Sequence, residues 1–274
     1  MPRFGSTQIA FPEFSGATRR LILINLGAYF LLLLATSARF VDSLRIMAHF
    51  GLYPPNVMVG EIWQPLTYSL VHLSLLGTLL QLLSLWFLLG FLEQFHGARW
   101  LYGLFVASVL GSAIVAIMIY QIGAWTGHPP PLMALTGCMG AIFGLVTAIG
   151  VLYGGVEFRL FFLIGIKARY LAIIYALVAL AQTFGEEQMY AFAQLGGGLA
   201  AILYIRYAPR RGFGFAVSES LYGLRNKYYR WKRRRAASKF QVYMKKQGRT
   251  VRFDGQGRLI DEDDVKHDDR KRWN

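Results

Sequence analysis

Six stretches of this chain are apolar over a length that only a lipid bilayer or a deep core asks for. They lie near Leu21–Ser37, Pro65–Phe91, Leu101–Ile122, Leu132–Leu152, Tyr170–Phe184 and Met189–Tyr207. A helix needs roughly 20 mainly apolar residues to cross the ~30 Å hydrocarbon core. Composition agrees: 55% of the 274 residues are hydrophobic and 16% charged, where a soluble domain carries about 25% charged residues. The expected fold is an all-α polytopic membrane protein with six transmembrane helices. The fifth span is short, and either the Leu160–Ile166 stretch extends it or the bilayer thins around it. The apolar run after Arg19 and Arg20 reads as a first span rather than a cleavable leader.

Basic residues orient such a bundle. Arg19, Arg20, Arg99, Arg159, Lys167, Arg169 and the residues after the last span fall on one side. With an even number of spans, both termini are expected in the cytoplasm. Three regions follow: a polar segment 1–18, a membrane domain 19–207 and a basic tail 208–274. The tail region is distinctive, since residues 206–274 carry 20 Lys/Arg against 8 Asp/Glu, or +12 of the net +14. Its cluster Lys232, Arg233, Arg234 and Arg235, interleaved with Tyr228, Tyr229 and Trp231, is expected to meet anionic lipid headgroups; nucleic acid is the weaker reading. Farther on, Asp254-Gly255-Gln256-Gly257 signals a turn, the acidic run Asp261–Asp264 follows, and little fixed structure is expected there. Opposite the tail, the first outer loop, about 39–64, mixes Phe40, Leu44, Ile46, Met47, Phe50 and Leu52 with few charges and is expected to lie in the membrane interface.

Small residues recur at helical spacing in two spans. Gly140 and Gly144 lie four apart in the run Gly137-Cys138-Met139-Gly140-Ala141-Ile142-Phe143-Gly144-Leu145, and Ala193, Gly197 and Ala201 repeat likewise in the last span. Such stripes let backbones approach closely in lipid, so the fourth and sixth helices, through Gly137, Gly140, Gly144 and Gly197, are expected to touch. Polar side chains inside spans are costly and mark function by default; here they are His72, Gln81 and Gln194. Their plainer role is hydrogen-bonded glue between helices.

The Gly137–Leu145 run, the segment Glu61-Ile62-Trp63-Gln64-Pro65-Leu66-Thr67-Tyr68, the pair Glu93 and Gly97, and Ala193-Gln194-Leu195-Gly196-Gly197 together resemble the rhomboid family of intramembrane serine proteases. The resemblance spans residues 20–207. It implies a serine nucleophile in the fourth helix, a histidine base in the sixth, and a His and an Asn in the second. Those positions hold Met139, Gln194, Gly77 and Gln81; His72 alone stands unchanged.

A thioether has no proton to lose, and a carboxamide is no base near neutral pH. The expected function is therefore that of a rhomboid-like pseudoprotease, which binds or regulates transmembrane client proteins without cleaving them. Met139, Gln194, Gln81, His72, Gly77 and Cys138 would line its cavity. Two alternatives remain: a peptidase using displaced residues, such as Cys138 or Ser112 with His72, or a lipid-perturbing scaffold. The single cysteine excludes a disulfide framework and a cysteine-based zinc site, and no metal or cofactor is expected. If the chain were prokaryotic, the bacterial inner membrane would be its location.

Overall fold

A computed structural model describes residues 12–38, 42–160, 164–207, 213–248 and residue 253. Arg39, Phe40, the expected turn at 254–257 and the acidic run at 261–264 lie outside the described residues. The chain divides into two compact units, Met1–Phe213 and Gly214–Asn274.

The first unit is helical. α1 (Gly16–Ser37) is followed by two short helices, α2 (Ser43–Phe50) and α3 (Pro54–Val59), then by α4 (Gln64–Thr67) and a 3₁₀ turn at Tyr68–Leu70. Next come α5 (Leu75–His96), α6 (Ala98–Trp125), α7 (Met139–Leu152), a β1–β2 hairpin (Glu157–Leu160 and Ile164–Lys167), α8 (Ala168–Gln182) and α9 (Gln188–Tyr207). Three of these helices, α1, α5 and α6, are long and apolar enough to cross a membrane, while α7 and α8 are apolar but shorter. At 1.5 Å per residue, 14-residue α7 extends only about 21 Å.

The long helices run back and forth. Glu93 at the end of α5 holds the start of α1, Tyr204 near the end of α9 donates to the Trp100 carbonyl near the start of α6, and Tyr153 beyond α7 bonds His96. These ends share one face of the unit. Gly97 breaks the apolar run between α5 and α6 with φ of 75°, a value that glycine adopts without penalty.

Small residues set the helix spacing. A Cβ built on Gly197 of α9 would overlap the carbonyl oxygen of Gly140 in α7 and sit 2.6 Å from Ser112 Oγ of α6. A more extensive seam joins α6 to α9: Gly111 lies against Ala200, Gly196 against Val115 and Gly103 against the Tyr204 hydroxyl. Ser108 and Ser112, both buried in this seam, donate to the carbonyls of Leu104 and Ser108 in their own helix.

Three expectations about span boundaries are corrected. The second span is not one continuous helix from Pro65, which lies in the short α4. Residues 71–74 form no helix and α5 begins at Leu75, where Ser74 caps it by accepting from the Gly77 N–H at 3.2 Å. The fourth span is not helical from Leu132, since α7 starts at Met139 and residues 131–138 form no helix. Nor does Leu160–Ile166 extend the fifth helix. The described residues on either side of 161–163 pair as antiparallel strands, Phe158 with Ile166 and Leu160 with Ile164.

Residues 42–64 of the segment expected as the first outer loop are structured. Gln64, fully buried, accepts from the Tyr53 N–H at 2.8 Å and donates to the Ala48 carbonyl and to the Glu61 carboxylate, tying α2, α3 and α4 together. Ile46 of α2 faces inward, while Leu44, Phe50, Met58, Val59, Ile62 and Trp63 are left exposed.

The second unit contains most of α10 (Phe213–Lys246). Lys232, Arg233, Arg234 and Arg235 are exposed on it, and the Arg235 guanidinium lies 5.1 Å from the Trp231 ring.

Candidate functional site

The backbone of residues 134–138 is not helical, so its polar groups need partners that a helix would have supplied. They come from elsewhere in the chain. Leu135 exchanges backbone bonds with Leu52 at 2.9 and 3.1 Å, and the Gly137 N–H donates to the Tyr68 carbonyl at 2.9 Å. The Tyr190 hydroxyl donates to the Ala134 carbonyl at 2.9 Å and accepts from the Thr136 N–H at 3.2 Å. The Cys138 N–H donates to Gln81 Oε1 at 2.9 Å. This strap ties α5, α7, α9 and the first outer loop together at the face opposite Glu93. Non-helical backbone of this kind is tolerated at membrane depth only inside protein or along a water-filled cavity.

Such a cavity adjoins it. A cleft of about 420 Å³ is lined by residues of the α5 start, the strap, the end of α8 and the first turns of α9, among them His72, Gly77, Gln81, Met139, Gln182 and Gln194. Met139 is 43% exposed at its floor. Gly137, at φ 82°, takes a conformation that other L residues rarely adopt, and a Cβ there would meet Gln81 Oε1 at 2.7 Å.

The structure thus brings together five of the residues singled out from the sequence: His72, Gly77, Gln81, Met139 and Gln194. Cys138 lies behind the wall, 1% exposed, and its thiol donates to Gln81 Oε1 at 3.3 Å. Gly137 belongs to the strap rather than to a helix-packing stripe, which corrects its expected role. Ser112 is not among the residues that line this cleft and is buried where α6, α7 and α9 meet.

Thr136, Gln182, Glu187 and Tyr190 are among the lining residues that were not anticipated. For Tyr190 a signal existed, since it stands four residues before Gln194 and so shares its helix face. Gln182 and Glu187 flank the turn between α8 and α9 and become visible as wall residues only when that turn is seen beside α5. Among the described residues, no group of three or more His, Cys, Asp or Glu side chains gathers to hold a metal ion.

Apolar helices long enough to cross a bilayer, packed through glycine seams around a polar cleft, define an integral membrane protein. Residues 20–216 match the eukaryotic integral membrane protein family DUF1751, and the chain belongs to that family. No curated protein matches the chain. The family match corrects the rhomboid resemblance, because the family identified is DUF1751 and the diagnostic serine and histidine are both absent. The landmarks behind the resemblance have packing and capping roles of their own here. Gly140 and Gly197 permit backbone contact, Gln64 knots the outer loop, and Glu93 with Gly97 ends one helix while holding another. A family described as eukaryotic gives no support to a bacterial inner membrane as the location.

Proposed function

We propose that this protein crosses the bilayer six times with both termini in the cytoplasm, and that its cleft holds transmembrane segments of client proteins without cutting them. The topology is supported by the alternating helix directions and by Arg19, Arg20, Arg99, Lys167, Arg169 and Arg206, which stand at the face where α1 begins and α9 ends. The exposed apolar residues of α2, α3 and the turn after them would then rest in the opposite interface.

One observation carries the client reading: a polar cleft flanked by apolar surface. α5 and α8 both pack on α7 without extensive contact with one another, and Leu76, Leu79, Leu80, Ile173, Leu177 and Leu180 on these helices are exposed. A membrane segment reaching the cleft between them would keep its apolar sides in lipid while meeting Met139, Gln81 and Gln194. Cleavage has no agent there. Met139 lacks an ionisable proton, Gln194 lacks basicity, and the Cys138 thiol is buried and engaged.

With a photoreactive residue in place of Met139, the chain is expected to capture single-span proteins in cell membranes. A fluorophosphonate and a thiol-directed probe are expected to leave the unmodified site unlabelled. Capture of lipid alone would refute the client reading, and cutting of a captured segment would refute its non-catalytic part.

The exposed bases of α10 support a second contact, with anionic headgroups, at ~1 kcal/mol per Lys or Arg near the surface. Replacing Lys232, Arg233, Arg234 and Arg235 together by alanine is expected to weaken binding of the detergent-solubilised chain to phosphatidylserine nanodiscs by about tenfold or more. Binding to phosphatidylcholine nanodiscs should be unchanged. An unaltered preference for phosphatidylserine would refute this contact.

A further inference from the structure

The cleft has hydrogen-bonding capacity left over, and its chemistry is narrow. Gln81 spends its Oε1 on the Cys138 N–H and S–H, which fixes the amide orientation and leaves Nε2 with two protons to donate. Among the described residues Gln194 and Gln182 show no hydrogen-bond partner, so each offers both donors and acceptors at the cleft wall. His72 is 5% exposed. Its Nδ1 lies 3.1 Å from the Leu70 carbonyl, while its buried Nε2 has no partner among the described residues.

Formal charge is scarce on this wall. Among the described residues no Lys or Arg lines the cleft, and the one carboxylate that does, Glu187, is exposed in the turn before α9. Gln194 lies six residues into α9, about 9 Å along the helix axis from Gln188.

We infer that the segment occupying the cleft carries a carboxamide side chain, asparagine or glutamine, at the depth of Gln81 and Gln194. This selectivity rests on the client reading above and narrows it. A carboxamide supplies two donors and an acceptor with two lone pairs, which match Gln194 in both directions and accept from Gln81 Nε2. A lysine or arginine would bring a cation to neutral amides, with the one carboxylate among the described lining residues out at the turn. An acidic side chain would find no Lys or Arg among the described lining residues. A leucine would cover the amides without pairing them, and covering unpaired polar groups in a low-dielectric site is costly. A site built to hydrogen-bond its ligand discriminates most sharply against an analogue lacking the polar group.

The test uses the full chain in membranes, with a benzophenone side chain at position 139 and single-span reporters of one sequence. The reporters differ at one position only, set to the depth of Gln194, holding Asn, Gln, Leu, Lys or Asp. The Asn and Gln reporters are expected to crosslink about three- to tenfold more than the other three. That advantage should vanish in Gln194→Leu, a change that removes no hydrogen bond between described residues, and the variant's monodispersity checks its fold. Gln81→Leu should reduce the advantage as well, although it also orphans the Cys138 N–H.

Equal capture of the Leu reporter would overturn the selectivity while leaving the client groove standing. Preference for Lys or Asp, or an advantage that survives Gln194→Leu, would overturn it too. Failure to capture any reporter, together with no client captured in cells, would defeat both readings.

Discussion

Replacing Gly197 with leucine is expected to abolish recovery of a folded, monodisperse protein. The α9 backbone runs so close to α7 that even an alanine Cβ would overlap the Gly140 carbonyl oxygen, and Ser112 Oγ of α6 stands 2.6 Å away on the other side. Neither neighbour can retreat. The Ser112 hydroxyl is bonded to the Ser108 carbonyl at 2.9 Å, and a Cβ on Gly140 would itself strike Ser112. Three helices therefore share one contact point, and a side chain there must push at least one away. Overpacking of a tight core costs about 1–3 kcal/mol and sometimes more. The upper end applies here, because the obstacle includes backbone rather than a flexible side-chain end. Gly27→Ala is the control, since its Cβ would meet nothing within 4 Å. Thermal unfolding in detergent and size-exclusion profiles read the result. An unchanged midpoint for Gly197→Leu would mean that α7 and α9 do not approach at this point.

The same contact governs the cleft. Gly140 directly follows Met139, and Gly197 lies three residues after Gln194, so the seam sits immediately below the two side chains that a client would touch. Milder substitutions in the seam should therefore shift the cleft before they unfold the protein. Gly197→Ala is the natural intermediate for separating lost folding from lost capture.

How much of this was readable from the chain depended on whether the information was local. Helical periodicity and hydropathy located the bodies of α1, α5, α6, α7, α8 and α9, because apolar length is a local property. The same windows misplaced the starts of α5 and α7. They register that Leu132, Met133 and Leu135 are apolar, but not that Tyr190, Tyr68, Leu52 and Gln81 will satisfy a non-helical backbone there. The hairpin was missed for a related reason: a short apolar run such as Leu160–Ile166 is ambiguous between helix and strand.

The α7–α9 approach was visible in the four-residue spacing of small residues. The larger α6–α9 seam was visible on the same grounds, through Gly103, Ala107 and Gly111, but was hidden among bulky neighbours. In the site, His72, Gln81 and Gln194 stood out because polar groups inside apolar spans need a reason. Gly77 came from a family comparison that did not hold; it lines the cleft because it lies one turn before Gln81 on the same face of α5. Tyr190 joins Gln194 by the same rule.

The second large effect is expected at the opposite end of the bundle, where the α1 N-terminus depends on one side chain from α5. Glu93 accepts from the Ala17 N–H at 2.6 Å, from the Thr18 N–H at 2.9 Å and from the Thr18 hydroxyl at 2.6 Å. Ala17 and Thr18 are fully buried, so water cannot replace the carboxylate. The first N–H groups of a helix have no partner in the helix itself, and their partial positive charge favours an anion. Gly16 completes the fit, because a Cβ there would collide with Glu93 Oε1. Glu93→Leu would leave these donors buried and empty. With hydrogen bonds to charged groups contributing about 1.5–3 kcal/mol each, a net loss of ~3 kcal/mol is expected after local rearrangement. The bond from Trp86 Nε1 to the Pro12 carbonyl, at 3.2 Å, is too weak a second tie to hold the end of α1 alone. Arg19 and Arg20 are exposed beside this cap, so limited trypsin digestion should cut there at least tenfold faster in Glu93→Leu. Glu93→Gln, which keeps one acceptor oxygen, should fall between the two. Unchanged cleavage at Arg19 and Arg20 in Glu93→Leu would show that α1 is held by its apolar face alone.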